Sequence, residues 1–78
     1  MNESEFNQQL GIVLRQVRNN EGLTQQALEE ASGIQRGYIS DLECGRKGIS
    51  TFKLFQLCNG FSDTTTANFI ERVQKRLK

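Results

Sequence analysis

Four glycines divide the chain of 78 residues into pieces that each have the length of a short helix. They stand at positions 22, 33, 45 and 60, and because the chain has no proline, glycines and capping side chains must end its helices. Within the pieces, apolar residues recur at steps of three and four, which is the spacing of a helix with one buried face. No segment alternates apolar and polar residues over the length of a strand. The pattern predicts an all-α chain of five helices.

The predicted bounds of these helices depend on the glycine stops and on polar side chains that can cap a first turn. The bounds are about Glu3 to Asn20, Thr24 to Ser32-Gly33, Gln35 or Arg36 to Gly45, Ser50 to Gly60, and about Thr64 to Leu77. Asp63 is the expected cap of the fifth helix. The fourth helix contains Phe52 and Phe55 besides its leucines and is apolar on more than one side, which predicts that it is buried.

Chain length, cysteine spacing and hydropathy limit the class of protein. A length of 78 residues suits one compact domain, predicted here over residues 1–78. Cys44 and Cys58 lie fourteen positions apart in a chain without histidine, so we expect two reduced thiols and no metal site. No signal peptide is evident, and no apolar run approaches the ~20 residues that span a bilayer. These features predict a soluble, cytoplasmic chain with no membrane partner.

The sequence contains few of the residue patterns that are typical of an enzyme active site. Without histidine, no motif places a nucleophile beside a base. Asp41 and Glu43 are two positions apart on a predicted helix, so their carboxylates do not face each other. No glycine-rich phosphate loop is present either. The sequence therefore predicts neither an enzyme nor a cofactor site.

Residues 24–44 carry the pattern that indicates a function. Two short helical segments flank Gly33, which can adopt the tight turn that two crossing helices need. Ile39 and Leu42 are three positions apart and are predicted to anchor the second of these helices in the core. The residues then left on its opposite face are Arg36, Gly37, Ser40 and Asp41.

This segment closely resembles the helix-turn-helix of the Xre family, which includes the lambdoid phage repressors and Cro proteins. The matching pieces are Gly-Leu-Thr-Gln at 22–25, Leu28, Gly33, Ile39-Ser40, Leu42-Glu43 and Gly45-Arg46, and the resemblance covers roughly residues 10–60. It implies a five-helix, lambda-repressor-like domain with its helix-turn-helix at about 24–44 and its third helix in the DNA major groove. Gln35 departs from the family pattern, which usually has Ser or Thr there as the helix cap.

The resemblance also implies roles for individual residues. Contacts to DNA bases would come from Arg36, Gly37, Ser40 and Asp41. Contacts to the DNA backbone would come from Thr24, Gln25, Gln35, Arg46 and Lys47. Arg18 and Glu43 would form a structural ion pair. The chemistry is suitable, because an arginine can donate two hydrogen bonds to guanine, while Asp41 can accept one from cytosine N4 or pair with a neighbouring arginine.

The low net charge of the chain would argue against nucleic-acid binding if its basic residues were spread evenly along the sequence. The total is +1, whereas such domains usually carry a basic surface. Six of the ten positive charges are concentrated in a loop and a tail: Arg46, Lys47, Arg72, Lys75, Arg76 and Lys78.

The function we expect is that of a sequence-specific regulator, a repressor that binds double-stranded DNA as a homodimer on an inverted repeat. The dimer contacts predicted on the fifth helix, at about 64–77, are Phe69, Ile70, Val73 and Leu77. One alternative is an antitoxin, whose toxin would dock on Glu29, Glu30 and the tail. Another is a protein-interaction module that does not bind DNA. A phage or plasmid repressor, a restriction-modification controller and a stand-alone regulator fit the sequence equally well.

Overall fold

Five α-helices form the fold in the computed structural model, which describes residues 1–77. Lys78, the last cation of the tail, lies outside the described residues. The helices are α1 (Glu3–Asn20), α2 (Gln25–Ser32), α3 (Arg36–Glu43), α4 (Thr51–Cys58) and α5 (Thr66–Arg76). Within residues 1–77 there is no strand, and no helix is long and apolar enough to cross a membrane. The prediction of an all-α fold with five helices is confirmed.

Polar side chains begin four of the five helices. The capping residues of α1, α2, α4 and α5 each accept a hydrogen bond from a backbone N–H three positions later, and they are Asn2, Thr24, Ser50 and Thr65. For α5 this corrects the predicted cap Asp63. The carboxylate of Glu21 accepts the backbone N–H groups of Ser62 and Asp63 at 2.6 and 3.0 Å, which holds that segment as a loop. The helix therefore begins two residues later than expected.

One apolar core lies between all five helices. α1 packs on α3 and α5, α2 packs on α3 and α4, and α4 packs on α5. The buried apolar residues are Leu10, Val13, Leu14, Val17, Leu28, Ile34, Ile39, Leu42, Leu54, Leu57, Cys58, Phe61, Phe69 and Val73. Burial raises the pKa of the Cys58 thiol to about 11, so this thiol stays protonated at neutral pH.

A glycine sets the distance between α1 and α3. A Cβ atom on Gly11 would lie 2.3 Å from the carbonyl oxygen of Leu42 and 2.9 Å from that of Glu43. Both contacts involve backbone atoms, which cannot rotate away as a side chain can. The two helices therefore cross as closely as they do because residue 11 has no side chain.

The fourth helix is buried on one face only, which corrects the expectation that it is buried all round. Leu54, Leu57 and Cys58 face the core, but Phe52 is 74% exposed and Phe55 is 55% exposed. The reason is that, among the described residues, α4 packs mainly against α2 and α5. No helix of residues 1–77 covers the outer face that carries Phe52 and Phe55.

The predicted dimer contacts on α5 divide into two groups. Phe69 and Val73 are 0% and 1% exposed, because they pack against α1 and α4 in the core of the same chain. This corrects their placement on a dimer surface. Ile70 is 39% exposed, and Leu77 is partly buried against the core.

Candidate nucleic-acid interface

The turn between α2 and α3 is built around Gly33. This residue ends α2 in the left-handed conformation, with φ at +79°, which glycine adopts without steric cost. Ser32 accepts the backbone N–H of Ile34 through its hydroxyl oxygen and donates the same hydroxyl to the carbonyl of Leu28. From α4, Gln56 Nε2 donates to the carbonyl of Ser32 at 3.0 Å. The angle between the two helices is thus held by local and by distant contacts.

The first turn of α3 receives its cap from another helix. Gln35 stands at the N-cap position and makes no capping hydrogen bond through its side chain. Instead, the carboxylate of Glu29 on α2 accepts the backbone N–H of Arg36 at 3.2 Å, where an anion also complements the helix dipole. Glu29 therefore has a structural partner, which weakens its expected role as a free docking residue for a toxin.

The outer face of α3 is open to solvent. Ile39 and Leu42 are both 0% exposed and hold the inner face, as predicted. On the outer face Arg36 and Gly37 are exposed, and Ser40 and Asp41 are partly exposed. The Arg36 side chain takes no part in the ion pairs found within residues 1–77. The last helix, α5, packs on α1 and α4.

Behind this face, the buried carboxylate of Glu43 joins α1, α2 and α3. Arg18 donates to it twice, from Nε at 2.6 Å and from Nη2 at 3.1 Å, so the predicted ion pair is present in the structure. Arg15 Nε contributes a contact at 3.3 Å, and Gln25 Nε2 donates at 3.1 Å. Arg18 also donates to the carbonyl of Leu23 at 2.8 Å. Gln25, which the sequence predicts to contact the DNA backbone, is thus tied to α3 through its side-chain amide.

The charge of Glu43 is stabilised despite its burial. Burial by itself raises the pKa of this carboxyl, but the hydrogen bonds from Arg18 and Gln25 and the arginine charge outweigh it and hold the pKa below its ordinary value of 4.5. The hydrogen bond to Glu43 also raises the pKa of Arg18. Both groups are therefore ionised at neutral pH.

We expect the stability contributed by Glu43 to be lost in acid. Because its pKa is lower in the folded than in the unfolded chain, the contribution is full above about pH 4.5 and disappears as the pH falls through the folded-state pKa. The measurement is urea unfolding of the native chain and of Glu43→Gln between neutral pH and pH ~3. The gap between their free energies of unfolding should shrink as the pH falls. A gap that stays constant over this range would contradict the argument.

Asp41 lies among cations at the end of α3. Arg46 Nε and Nη2 both lie 3.0 Å from its Oδ1, and Lys47 Nζ lies 3.2 Å from its Oδ2. The hydrogen bonds from Arg46 and Lys47 hold the pKa of Asp41 below its usual value. In the structure Asp41 pairs with a neighbouring arginine, Arg46, which was the second of the two roles considered for it. Arg46 and Lys47, two predicted DNA backbone contacts, are held by this carboxylate.

A shallow groove beside α3 holds two lysines around an aromatic ring. The Nζ atoms of Lys47 and Lys53 lie 5.8 and 5.3 Å from the centre of the Tyr38 ring, within the range of cation–π attraction. Tyr38 donates its hydroxyl to the carbonyl of Gly48 at 2.7 Å, and Gln35 lines the same groove. The sequence analysis missed Lys53. The sequence feature that could have indicated Lys53 is its position in the first turn of α4, three residues after the Ser50 cap.

Two short helices that meet at a left-handed glycine, the second anchored on one side and open on the other, define a helix-turn-helix domain. The chain belongs to the helix-turn-helix domain family, whose model, described as "Helix-turn-helix domain", matches residues 9–68. The resemblance to Xre-type helix-turn-helix regulators is confirmed.

Known proteins of similar sequence and structure support this assignment. The chain is 35% identical over 48 residues to y4dJ of Sinorhizobium fredii, an HTH-type transcriptional regulator. That match covers 62% of this chain, and the chain spans 62% of the length of that curated relative. Among solved structures, the clp gene regulator ClgR from C. glutamicum superposes with a TM-score of 0.84 at 32% identity, covering 94% of each chain. The restriction-modification controller protein C.Esp1396I superposes with a TM-score of 0.78 at 26% identity, covering 92% of this chain and 93% of its own.

Proposed function

We propose that this chain binds double-stranded DNA in a sequence-specific manner by placing α3 in the major groove, and that it acts as a transcriptional repressor. The observation that carries the proposal is the open face of α3, where Arg36 is exposed and takes part in none of the ion pairs within residues 1–77, on a helix whose other face is anchored by Ile39 and Leu42. An α-helix fits the major groove, where each base pair presents a distinct pattern of donors and acceptors. An anchored helix with an exposed arginine is suited to read that pattern.

Base contacts are assigned to the outer face of α3. Arg36 can donate two hydrogen bonds to guanine O6 and N7, and Ser40 can donate or accept. Gly37 lets the backbone of α3 approach the groove without a side chain between them. Asp41 can accept from cytosine N4, and its charge is screened by Arg46 and Lys47, which makes a carboxylate on this face compatible with nearby phosphates.

Contacts to the DNA backbone are assigned to the residues around α3. Thr24 and Gln25 stand at the start of α2, where free N–H groups and an amide can donate to phosphate. The groove with Gln35, Lys47 and Lys53 offers a second phosphate site on the other side of α3. The cations of this surface are Arg36, Arg46, Lys47 and Lys53, and its carboxylates are Asp41 and Glu29. A local excess of positive charge thus accompanies a total of only +1.

We infer repression from the two-fold symmetry expected of the bound protein. Two copies whose recognition helices lie about 34–36 Å apart would read two half-sites one turn apart, which gives an inverted repeat. A bound dimer of this kind blocks a promoter by occupancy. The similarity to a gene regulator and to a restriction-modification controller supports a regulatory role. No specific contact favours the antitoxin alternative.

Selection of bound duplexes from random DNA tests the proposal. We expect an inverted repeat to emerge, and Arg36→Ala to lose preference at one base pair in each half-site, at a cost of about 1–3 kcal/mol. Gln25→Ala should weaken binding to all sequences alike. Lys75→Ala is the matched control, since it removes an exposed charge far from α3 in the sequence. If Arg36→Ala leaves both affinity and base preference unchanged, the assigned face of α3 is wrong.

A further inference from the structure

The end of α3 and the loop that follows it bring one carboxylate and two cations together. Gly45 adopts the left-handed conformation, with φ at +74°, and the backbone N–H of Arg46 donates to the carbonyl of Asp41 at 2.9 Å. The chain therefore turns back at this point, and the side chains of Arg46 and Lys47 lie beside the last turn of α3. We refer to Asp41, Arg46 and Lys47 together as the Asp41 cluster.

Both oxygens of the Asp41 carboxylate are occupied in this cluster. Arg46 contacts Oδ1 through Nε and Nη2, both at 3.0 Å, and Lys47 Nζ lies 3.2 Å from Oδ2. Within residues 1–77, neither cation forms an ion pair with any other carboxylate. The carboxylate thus lowers the charge that the two cations present to a DNA backbone from +2 to +1.

The contacts of the Asp41 cluster can be exchanged for others. The side chains of Arg46 and Lys47 are each 59% exposed, and that of Asp41 is 27% exposed. Ion pairs at a surface are weak in water, and a phosphate oxygen accepts from the same donors as a carboxylate oxygen does. Asp41 therefore competes with DNA phosphate for the donors of both cations.

Stability is a poor explanation for a carboxylate at this position. Asp41 lies in the last turn of α3, where the helix dipole disfavours an anion. An exposed ion pair adds little to the free energy of unfolding. These two points favour a role of the carboxylate in binding.

We infer that Asp41 keeps Arg46 and Lys47 from binding phosphate until its carboxylate meets a donor on a base edge, and that it thereby determines specificity by weakening binding to wrong sequences. The inference rests on the proposed function, which places the outer face of α3 against the bases. Where a cytosine N4 amino group faces Asp41, the carboxylate gains a donor in the groove. Arg46 and Lys47 can then turn to the phosphates.

Other base pairs do not offer this exchange. In the major groove, guanine presents the acceptors N7 and O6, and thymine presents the acceptor O4, which repel a carboxylate. Asp41 then keeps its two cations, and the phosphates nearby meet the smaller charge of the Asp41 cluster. Because specificity is the difference between two affinities, weaker binding to the wrong sequence raises it even where the right complex is no stronger.

Asp41→Asn tests the inference, because it keeps the shape of the side chain and one acceptor oxygen but removes the charge. We expect this variant to elute from heparin at higher salt than the native chain. On a duplex of scrambled sequence it should bind about three- to tenfold more tightly, and the plot of log affinity against log salt should be steeper by about 0.9, the slope of one more phosphate contact. Affinity for the duplex selected from random DNA should not rise. The ratio of specific to non-specific affinity should therefore fall by about three- to tenfold.

Glu71→Gln is the matched control. It makes the same change in net charge at an exposed carboxylate on α5, paired with Lys75 at 3.7 Å, and should bind both duplexes like the native chain. In the background Arg46→Gln/Lys47→Gln, adding Asp41→Asn should no longer raise the affinity for scrambled DNA, because the donors it would release are missing. Urea unfolding should find the fold of every variant intact, since the substituted side chains lie at the surface. The inference is overturned if Asp41→Asn binds heparin and scrambled DNA no more tightly than Glu71→Gln, or if its gain persists in that background.

The heparin column and the two duplexes separate this inference from the proposed function. If the native chain prefers its selected duplex and Asp41→Asn keeps the whole preference, the inference fails and the proposed function stands. If the native chain prefers no sequence, the proposed function fails, and elution from heparin alone decides whether Asp41 keeps the two cations from binding anions.

Discussion

Replacing Glu43 by alanine is expected to destabilise the chain by about 3–5 kcal/mol, which is the usual cost of breaking a buried ion pair by removing one partner. Arg18, whose side chain is only 13% exposed, would keep its charge and lose both of its hydrogen bonds to the carboxylate. Gln25 would lose the contact that ties α2 to α3. Small domains have a total stability of about 5–15 kcal/mol, so urea unfolding followed by circular dichroism should find this variant close to unfolding without denaturant.

Two other glutamate variants show whether the loss of stability comes from the charge of Glu43 and from its buried position. Glu43→Gln keeps an oxygen that can accept from Arg18, so its loss should be smaller than that of the alanine variant. Glu71→Ala removes one partner of an exposed pair with Lys75 at 3.7 Å and should change stability very little. If Glu43→Ala proved as stable as Glu71→Ala, the network around the buried carboxylate would not be what holds α3 in place.

Local interactions explain why the first four helices were predictable from the sequence. Thr24 and Ser50 cap their helices through hydrogen bonds to backbone N–H groups three residues later, and Gly33 ends α2 with its own backbone conformation. These contacts involve neighbours in the chain, so residue type and spacing are enough to infer them. The Arg18–Glu43 pair is a distant contact, and it was inferred only through the family resemblance.

The features that the sequence did not predict depend on contacts between residues far apart in the chain. The family resemblance did not indicate these contacts. Glu29 on α2 caps α3 by accepting the backbone N–H of Arg36. The residue types alone do not indicate that these two groups are in contact. Glu21 accepts hydrogen bonds from a loop 41 and 42 residues further along the chain, and α5 starts at Thr66 instead of the expected Thr64. The apolar composition of α4 could not show which of its faces would have a neighbour, and so the exposure of Phe52 was unforeseen.

The crossing of α1 and α3 should be intolerant of any side chain at position 11. In a helix, alanine is favoured over glycine by about 1 kcal/mol, yet we expect Gly11→Ala to destabilise the chain by about 2–3 kcal/mol net. Its Cβ would lie 2.3 Å from the carbonyl oxygen of Leu42, so the two helices would have to move apart. Urea unfolding measures the loss, and DNA binding should weaken as well, because α3 would turn relative to α2.

Gly37→Ala is the matched control for this prediction, because it makes the same change in a helix at a position with open space. No atom lies within 4 Å of the Cβ that would be added, so the variant should be more stable than the native chain by about 0.5–1 kcal/mol. Its methyl group would nevertheless stand on the outer face of α3, where the proposed function requires the backbone to approach DNA closely. Gly11→Ala should therefore lower stability and DNA affinity together, whereas Gly37→Ala should raise stability and lower affinity. If both variants gained stability, α1 and α3 could separate without cost, and the close crossing would not be what orients the recognition helix.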